Sequence, residues 1–409
     1  MSEKFRPHIA LIATSCFDTL LPLYKHLYNE CNVDLYCFVC DRFMAHPSFD
    51  LTGYQAGKKT IESVPAEYLP EPAIRYLNRT ARNVRTFVFR ITLTSYATIT
   101  YRIREIVNPD NYDVVHLIGS SVIYESFLRP LKRKYRLIVT IHEADPYRIK
   151  TSVFHPKELI KWAHNKILYS LINRADYITF FSLNEKQKFI HDFPESRGRC
   201  GIIKFGLQET FMHYDPVACG NSPGHDFILY TGMIRQYKGV EFLIESIRKS
   251  EKLSKIIFII AGRDDVGLDI IELPNVTIIN KFLSENEINF LVSQSRALIL
   301  PYTGASQSGI PGIAFMHFKP VIFSDVRGLD EYLCDGYNGI SFMSGNSKSL
   351  ENAILKIYDP EVYNSLLNNI KMNPYTEDLS WKTLAGRYAE VYEKILKNET
   401  KNKHYNTML

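Results

Sequence analysis

The chain predicts an α/β protein of two doubly wound parallel sheets facing across a cleft, and three observations carry that expectation. Short β-branched apolar runs alternate with segments of helical period, a pattern that demands parallel strands because each crossover needs an intervening helix. The alternation occurs twice, on either side of a Pro- and Gly-containing stretch at 215–226. With 409 residues, 45% of them hydrophobic, the chain exceeds what one core usually holds.

In order, HIALIATS (8–15) reads as a buried strand, followed by the helix FDTLLPLYKHLYNE, in which Leu20, Leu23 and Leu27 recur at helical spacing. VDLYCFVCD (33–41) is a second strand. DVVHLIGS (113–120) and RLIVTIHEA (136–144) are further strands, with YESFLRPLKRKY read as helix between them, and ADYITFFS (175–182) repeats the theme. The second series runs from DFILYTG (226–232) through the helix VEFLIESIRKS, the strands KIIFIIAG and NVTIIN, the helix ENEINFLVSQS, and the strands ALILPY and PVIFS. Residues 379–397 form an amphipathic helix with Leu384, Tyr388, Val391 and Ile395 on one side. The expected domains are 1–214, 215–378, and a terminal helix with polar tail at 379–409 that returns to the first domain.

Composition narrows the class further. Residues 1–200 hold 28 Lys and Arg against 20 Asp and Glu, whereas 201–409 hold 21 against 24, so the first half carries +8 and the second −3 of the chain's net +5. The seven cysteines lack regular spacing, which fits a reducing compartment, and Cys37-Phe-Val-Cys40 lies inside an apolar strand where structural thiols are expected. No metal site is assigned. The apolar run at the N-terminus is short for a signal peptide, and no run approaches the ~20 residues of a spanning helix. A cytoplasmic protein is expected, and no nucleic-acid module is evident among the arginines.

Ligands of open α/β sheets gather at the carboxyl ends of strands. The strand ending at Gly232 runs into Met-Ile-Arg-Gln-Tyr-Lys-Gly, presenting Arg235 and Lys238 three residues apart, a fork and a point charge suited to a diphosphate or else a solvated surface pair. After ALIL, the small-residue loop Pro301-Tyr-Thr-Gly-Ala-Ser-Gln-Ser-Gly309 leads into a helix whose free amides, with Ser306, Gln307 and Ser308, form an anion site. The loop lacks the Gly-Lys-Ser/Thr of a Walker motif, and no Gly-x-Gly-x-x-Gly follows the first strand.

From about 226 to 331 the chain resembles glycosyltransferase family 4, group 1 enzymes of the two-Rossmann GT-B architecture that move a sugar from a nucleotide diphosphate donor. The resemblance rests on TGMIRQYKGVEFLIES, FIIAGRDD, LVSQSRALILPYTGASQSGIPGIAFMHFKPVIFSDVRGLDEYL and DGYNGISF. It implies that Arg235 and Lys238 grip the diphosphate, aided by Gly232 and by amides near Ser308 and Gly309, with retention at the sugar and no required metal. Where relatives carry Arg directly after the strand-end glycine, this chain has Met233 and follows a variant spelled Ile-Arg-x-Tyr-Lys-Gly. The family's paired glutamates are replaced by Ala305 and Ile313, as in a subgroup with an Ala-Ser-Gln-Ser-Gly loop.

The resemblance also aligns His142 with a histidine beside the donor sugar. From the residues alone, His142 reads as an ordinary strand-edge histidine, and it is the resemblance that makes it a site residue. Glu143 and Asp145 are candidates to orient an acceptor hydroxyl or are helix caps, and Ser15 either contacts acceptor or caps the first helix. Residues 74–90, drawn as a helix, put Arg75, Arg79, Arg82 and Arg90 opposite an apolar face, a pattern that rests on an anionic bilayer or on a core, and 132–136 either extends the basic patch or complements a helix C-terminal dipole. Relatives that build surface polysaccharides act on glycan or lipid-linked acceptors. The alternative to a transferase is a non-catalytic relative that binds nucleotide or glycan as an assembly subunit.

Overall fold

A computed structural model describes residues 6–15, 17–41, 51, 53–57, 59–90, 96–119, 121–128, 133–142, 156–204, 206–219, 224, 226–268, 273–305 and 308–406. The chain divides into two compact units, one formed by Met1–Gly206 with Ser380–Leu409 and the other by Leu207–Leu379.

The first unit contains β1 (His8–Ala13), α1 (Phe17–Glu30), β2 (Asn32–Cys40), β3 (Ile61–Val64), α2 (Glu71–Leu77), β4 (Val84–Phe89), α3 (Tyr96–Val107), β5 (Val114–Ile118), β6 (Arg136–Ile141), α4 (Pro156–Arg174), β7 (Tyr177–Phe180), α5 (Leu183–Asp192) and β8 (Cys200–Ile202). They build an eight-stranded sheet in the order β3-β4-β2-β1-β5-β6-β7-β8. All neighbours are parallel except the antiparallel edge pair of β3 and β4. The continuous apolar character of β1, β2 and β5 follows from burial on both faces, as parallel strands require. Helix α1 buries Leu20, Leu23, Tyr24 and Leu27 completely, each apolar side chain contributing about 1.5–3 kcal/mol. The sheet reverses its winding between β1 and β5.

The second unit contains β9 (Ile228–Thr231), α6 (Val240–Lys249), β10 (Phe258–Ala261), β11 (Val276–Ile279), α7 (Glu285–Gln294), β12 (Ala297–Leu300), α8 (Ile310–Met316), β13 (Val321–Ser324), β14 (Gly339–Phe342), α9 (Ser347–Ile357) and α10 (Pro360–Met372). Its six strands are all parallel in the order β11-β10-β9-β12-β13-β14, with the reversal between β9 and β12. The chain enters this unit at Leu207, ahead of the expected boundary, because Phe211 is buried in it and Asn289 on α7 donates to the Tyr214 carbonyl at 2.6 Å.

The last helix, α11 (Trp381–Asn406), packs along α1 in the first unit. Leu384, Ala385, Tyr388 and Tyr392 are buried on its inner side. Tyr392 meets a polar group that the apolar reading of β5 did not single out. His116, fully buried in that strand, bonds the Tyr392 hydroxyl through Nδ1 at 2.8 Å and Thr140 Oγ1 through Nε2 at 2.6 Å, and Thr140 bonds Thr179 at 2.6 Å. Every member gains a partner, so burial is tolerated.

Three sequence expectations are corrected. Residues 74–90 are not one helix: α2 stops at Leu77, Asn78 caps it with φ 50°, a 3-10 turn follows, and Val84–Phe89 is the inner strand β4. β-branched and aromatic residues at 84 and 86–89 favour a pleated buried surface over a helix. The basic amphipathic helix proposed for an anionic membrane therefore does not exist. Nor do Arg133 and Arg136 extend a patch, since both are spent on Asp176 at 2.6 and 3.2 Å. The helix expected over YESFLRPLKRKY is a 3-10 turn at Val122–Phe127 among the described residues.

Burial pulls the His116 pKa down to about 3 and that of His317, in the second unit, to about 4. In the unfolded chain both protonate near 6.5, so folding stability from these groups is complete above that pH and is lost as pH falls toward the folded values. Thermal unfolding between pH 4 and 7.5 is expected to show a midpoint that drops on acidification, with His116→Gln flattening the slope; an unchanged slope in the variant would remove His116 from that account.

Candidate functional site: the carboxyl edge of the second sheet

The winding reversal between β9 and β12 opens their two following loops side by side. The first loop is shaped by backbone pairing. Ile234 donates its amide to the Arg263 carbonyl at 2.9 Å and accepts from the Asp265 amide at 3.1 Å, which ties the β9 loop to the loop after β10. Tyr230 reinforces the turn, its hydroxyl donating to the Met233 carbonyl at 3.0 Å. Gly262 permits the close approach, because a Cβ there would lie 2.0 Å from the Gly232 carbonyl oxygen.

Residues 236–238 form one 3-10 turn, and Gly239 ends it in the left-handed region at φ 66° before α6 begins. A Cβ on Gly239 would sit 1.9 Å from the Pro301 carbonyl oxygen. Only glycine lets the start of α6 rest directly on the end of β12. Across that seam the Thr303 amide donates to the Tyr237 carbonyl at 2.8 Å. The Lys238 ammonium donates to the Tyr302 hydroxyl at 2.8 Å and lies 4.5 Å from the centre of the Tyr302 ring. The two segments singled out in the sequence are thus parts of one surface.

The two cations sit in different electrostatic surroundings. Arg235 is exposed, its Nε 3.7 Å from Asp265, and Asp265 is shared with Arg263 at 2.9 Å. The Met233 thioether touches both guanidinium groups at 3.9 Å. Lys238 is half-buried beside phenols, and among the described residues no carboxylate lies in ion-pair range of it. Its charge is the less compensated of the two. Neither Tyr302 nor Asp265 was singled out from sequence. Tyr302 is the second residue of the small-residue loop, and an aromatic so close to the end of β12 was the signal available for it.

Ser308 and Gly309 lie half-buried at the start of α8. That helix has only seven residues, with proline at its second position, so its dipole and its supply of free amides are smaller than the sequence reading assumed. Ser306 and Gln307 lie outside the described residues. Buried Gln208, unmarked in the sequence reading, packs here, its Nε2 3.5 Å from the point a Gly309 Cβ would occupy. Ala305 is half-buried and Ile313 is buried at 6% exposure, so the second glutamate position is taken into the core.

On the first unit, Ser15 follows β1 and His142 follows β6, both at the carboxyl edge of that sheet. Ser15 Oγ lies 3.1 Å from the point a Cβ on Gly119 would occupy, at the winding reversal. The His142 ring meets Phe181 edge-on at 5.9 Å. Glu143 and Asp145 lie outside the described residues. Cys37 is fully buried and burial pushes its thiol pKa up, as expected of a structural cysteine. Among the described residues no group of three or more His, Cys, Asp or Glu is placed to hold a metal ion, and no helix is long and apolar enough to cross a membrane.

Residues 225–360 match the family model described as Glycosyl transferases group 1. A glycosyltransferase of Methanocaldococcus jannaschii is 22% identical over 254 residues, 59% of this chain and 64% of that protein. A second from the same organism is 23% identical over 302 residues, 69% of this chain and 78% of its own length. The alpha-D-kanosaminyltransferase of Streptomyces kanamyceticus is 27% identical over 177 residues, 40% of this chain and 45% of that one. Among solved structures, sucrose-phosphate synthase from Thermosynechococcus elongatus superposes with a TM-score of 0.62 at 15% identity, covering 96% of this chain and all (100%) of that one. Anabaena HepE in complex with UDP does so with 0.62 at 14% identity, covering 95% and 100%. The fold is GT-B, two Rossmann-like units, and the group 1 match falls on the second of them. The relatives carry transferase names, and the chain spans less than two thirds of the length of the first of them.

The Gly239 seam yields a stability test. Gly239→Ala combines a strained left-handed backbone with a backbone clash and is expected to cost about 1–3 kcal/mol or more in urea unfolding. An Ala variant as stable as the parent would show that α6 and β12 are not held in the contact described.

Proposed function

We propose that the protein transfers a hexose-type sugar from a nucleoside diphosphate sugar to a hydroxyl of a glycan or lipid-linked acceptor, with retention at the anomeric carbon, in the cytoplasm and in the building of surface polysaccharide. The observation that carries the reading is the juxtaposition of Lys238 and Tyr302 at the winding reversal of the sheet that matches the group 1 model. Support for the donor comes from HepE, whose structure holds UDP, and support for sugar transfer from the kanosaminyltransferase by its name.

In this reading Lys238 and Arg235 bind the diphosphate, with Gly232 allowing the backbone close to it and Ser306, Gln307, Ser308 and Gly309 lining its other side. As the bond from the anomeric carbon to the diphosphate oxygen breaks, its electron pair stays on the leaving group. The two cations meet the growing charge, and a preorganised cation is worth more here than in water. The acceptor oxygen bonds the same carbon and its proton is released. His142 stands beside the donor sugar, while Ser15, Glu143 and Asp145 serve the acceptor. The cations balance the leaving charge, so no metal is assigned; turnover is expected to survive a chelator, and its abolition with recovery on adding back a divalent ion would contradict this.

The absence of carboxylates at Ala305 and Ile313 favours one competing reading, a subunit that binds nucleotide or glycan without turnover. A panel of nucleotide sugars with the purified protein, read by release of nucleoside diphosphate, separates the two. Lys238→Ala and Arg235→Ala are each expected to lower turnover by roughly ten- to a thousand-fold, Lys238→Ala the more because Arg235 is already shared with Asp265. Full activity in both variants would remove the assigned roles.

A further inference from the structure

We infer that Tyr302 is a positioning residue for Lys238: it holds the ammonium at the mouth of the β9 loop through an uncharged partner, so that the cation is placed yet keeps its charge for a ligand diphosphate. The inference rests on the proposed donor site and deepens it.

The geometry begins with how firmly Tyr302 is held. The residue is 1% exposed. Its carbonyl accepts from Ser324 Oγ, at the end of β13, at 2.6 Å and from Ser344 Oγ, beyond β14, at 3.3 Å. Its neighbour Thr303 is tied to Tyr237 by the backbone bond already described. Tyr237 meets the Tyr302 ring edge-on, with centroids 6.2 Å apart and planes at 77°. The Tyr302 backbone is therefore held from beside β13 and β14, and its ring packs against Tyr237 where Lys238 meets it.

A lysine side chain has four rotatable bonds, and ordering one for a ligand costs up to roughly 2 kcal/mol. A carboxylate partner would order it as well, but would cancel the charge that a diphosphate needs. The phenol does not. Its oxygen accepts one of the three ammonium N–H groups and its ring face attracts the cation, leaving two donors for phosphate oxygens. Arg235 illustrates the other choice, since its charge is shared with Asp265.

The test is a double-mutant cycle read by calorimetry, using UDP, GDP, ADP, CDP and dTDP to find the tightest binder and its parent nucleoside as control. A hydrogen bond to a charged group is worth about 1.5–3 kcal/mol, so Tyr302→Phe, which keeps the ring, is expected to weaken the diphosphate roughly tenfold or more while leaving nucleoside affinity and thermal midpoint unchanged. On a Lys238→Ala background the same change is expected to have no further effect. Wild-type affinity in Tyr302→Phe, or an equal loss on both backgrounds, would overturn the inference while the donor site stands. Wild-type affinity in Lys238→Ala and Arg235→Ala, or no diphosphate binding by the parent protein, would overturn the donor site and the inference with it.

Discussion

The contact between the start of α6 and the end of β12 is the constraint on which the candidate site depends. A helix that begins immediately against a neighbouring strand's carbonyl leaves no room for a side chain, and the chain answers with glycine at 239 in a conformation glycine tolerates. Once that seam closes, Tyr237 and Thr303 share a backbone hydrogen bond and Lys238 comes within reach of Tyr302. Two loops more than sixty residues apart in sequence become one surface.

That surface distributes its charge unevenly. Asp265 lies against two guanidinium groups, linking the β9 and β10 loops and offsetting part of their charge. Lys238 has phenols about it instead. An anion placed here meets one cation that is structurally engaged and another whose charge is intact. The short α8 adds less than a long helix would, so the side-chain cations bear more of the electrostatic duty than the sequence reading assigned to them.

A comparable division of labour organises the first unit. His116 is a polar group in the middle of an otherwise apolar strand, and it is kept because β6, β7 and α11 each supply a hydroxyl to the same buried network. Leu384, Ala385, Tyr388 and Tyr392 bury the inner side of α11, and the Tyr392 hydroxyl joins the helix to the network. The cost is sensitivity to acid, since burial disfavours the charged imidazole.

Local pattern was enough wherever one element's own residues specify it. The buried parallel strands, α1, α6 and α7, the repeat of the α/β unit and the pairing of Arg235 with Lys238 on one loop are all readable from periodicity and from glycines at strand ends. Residues 74–90 show where that ends. Their apolar spacing fits a helix, yet Asn78 turns the chain and Val84–Phe89 find a strand partner in β2, because pairing with a distant strand satisfies more backbone and buries more surface than a helix on its own could. Tyr302 beneath Lys238, Asp265 between two arginines, and His116 among three hydroxyls were likewise decided only by tertiary structure. Each depends on contacts between residues far apart in the chain, and linear spacing carries no record of which distant side chain will complete a hydrogen bond.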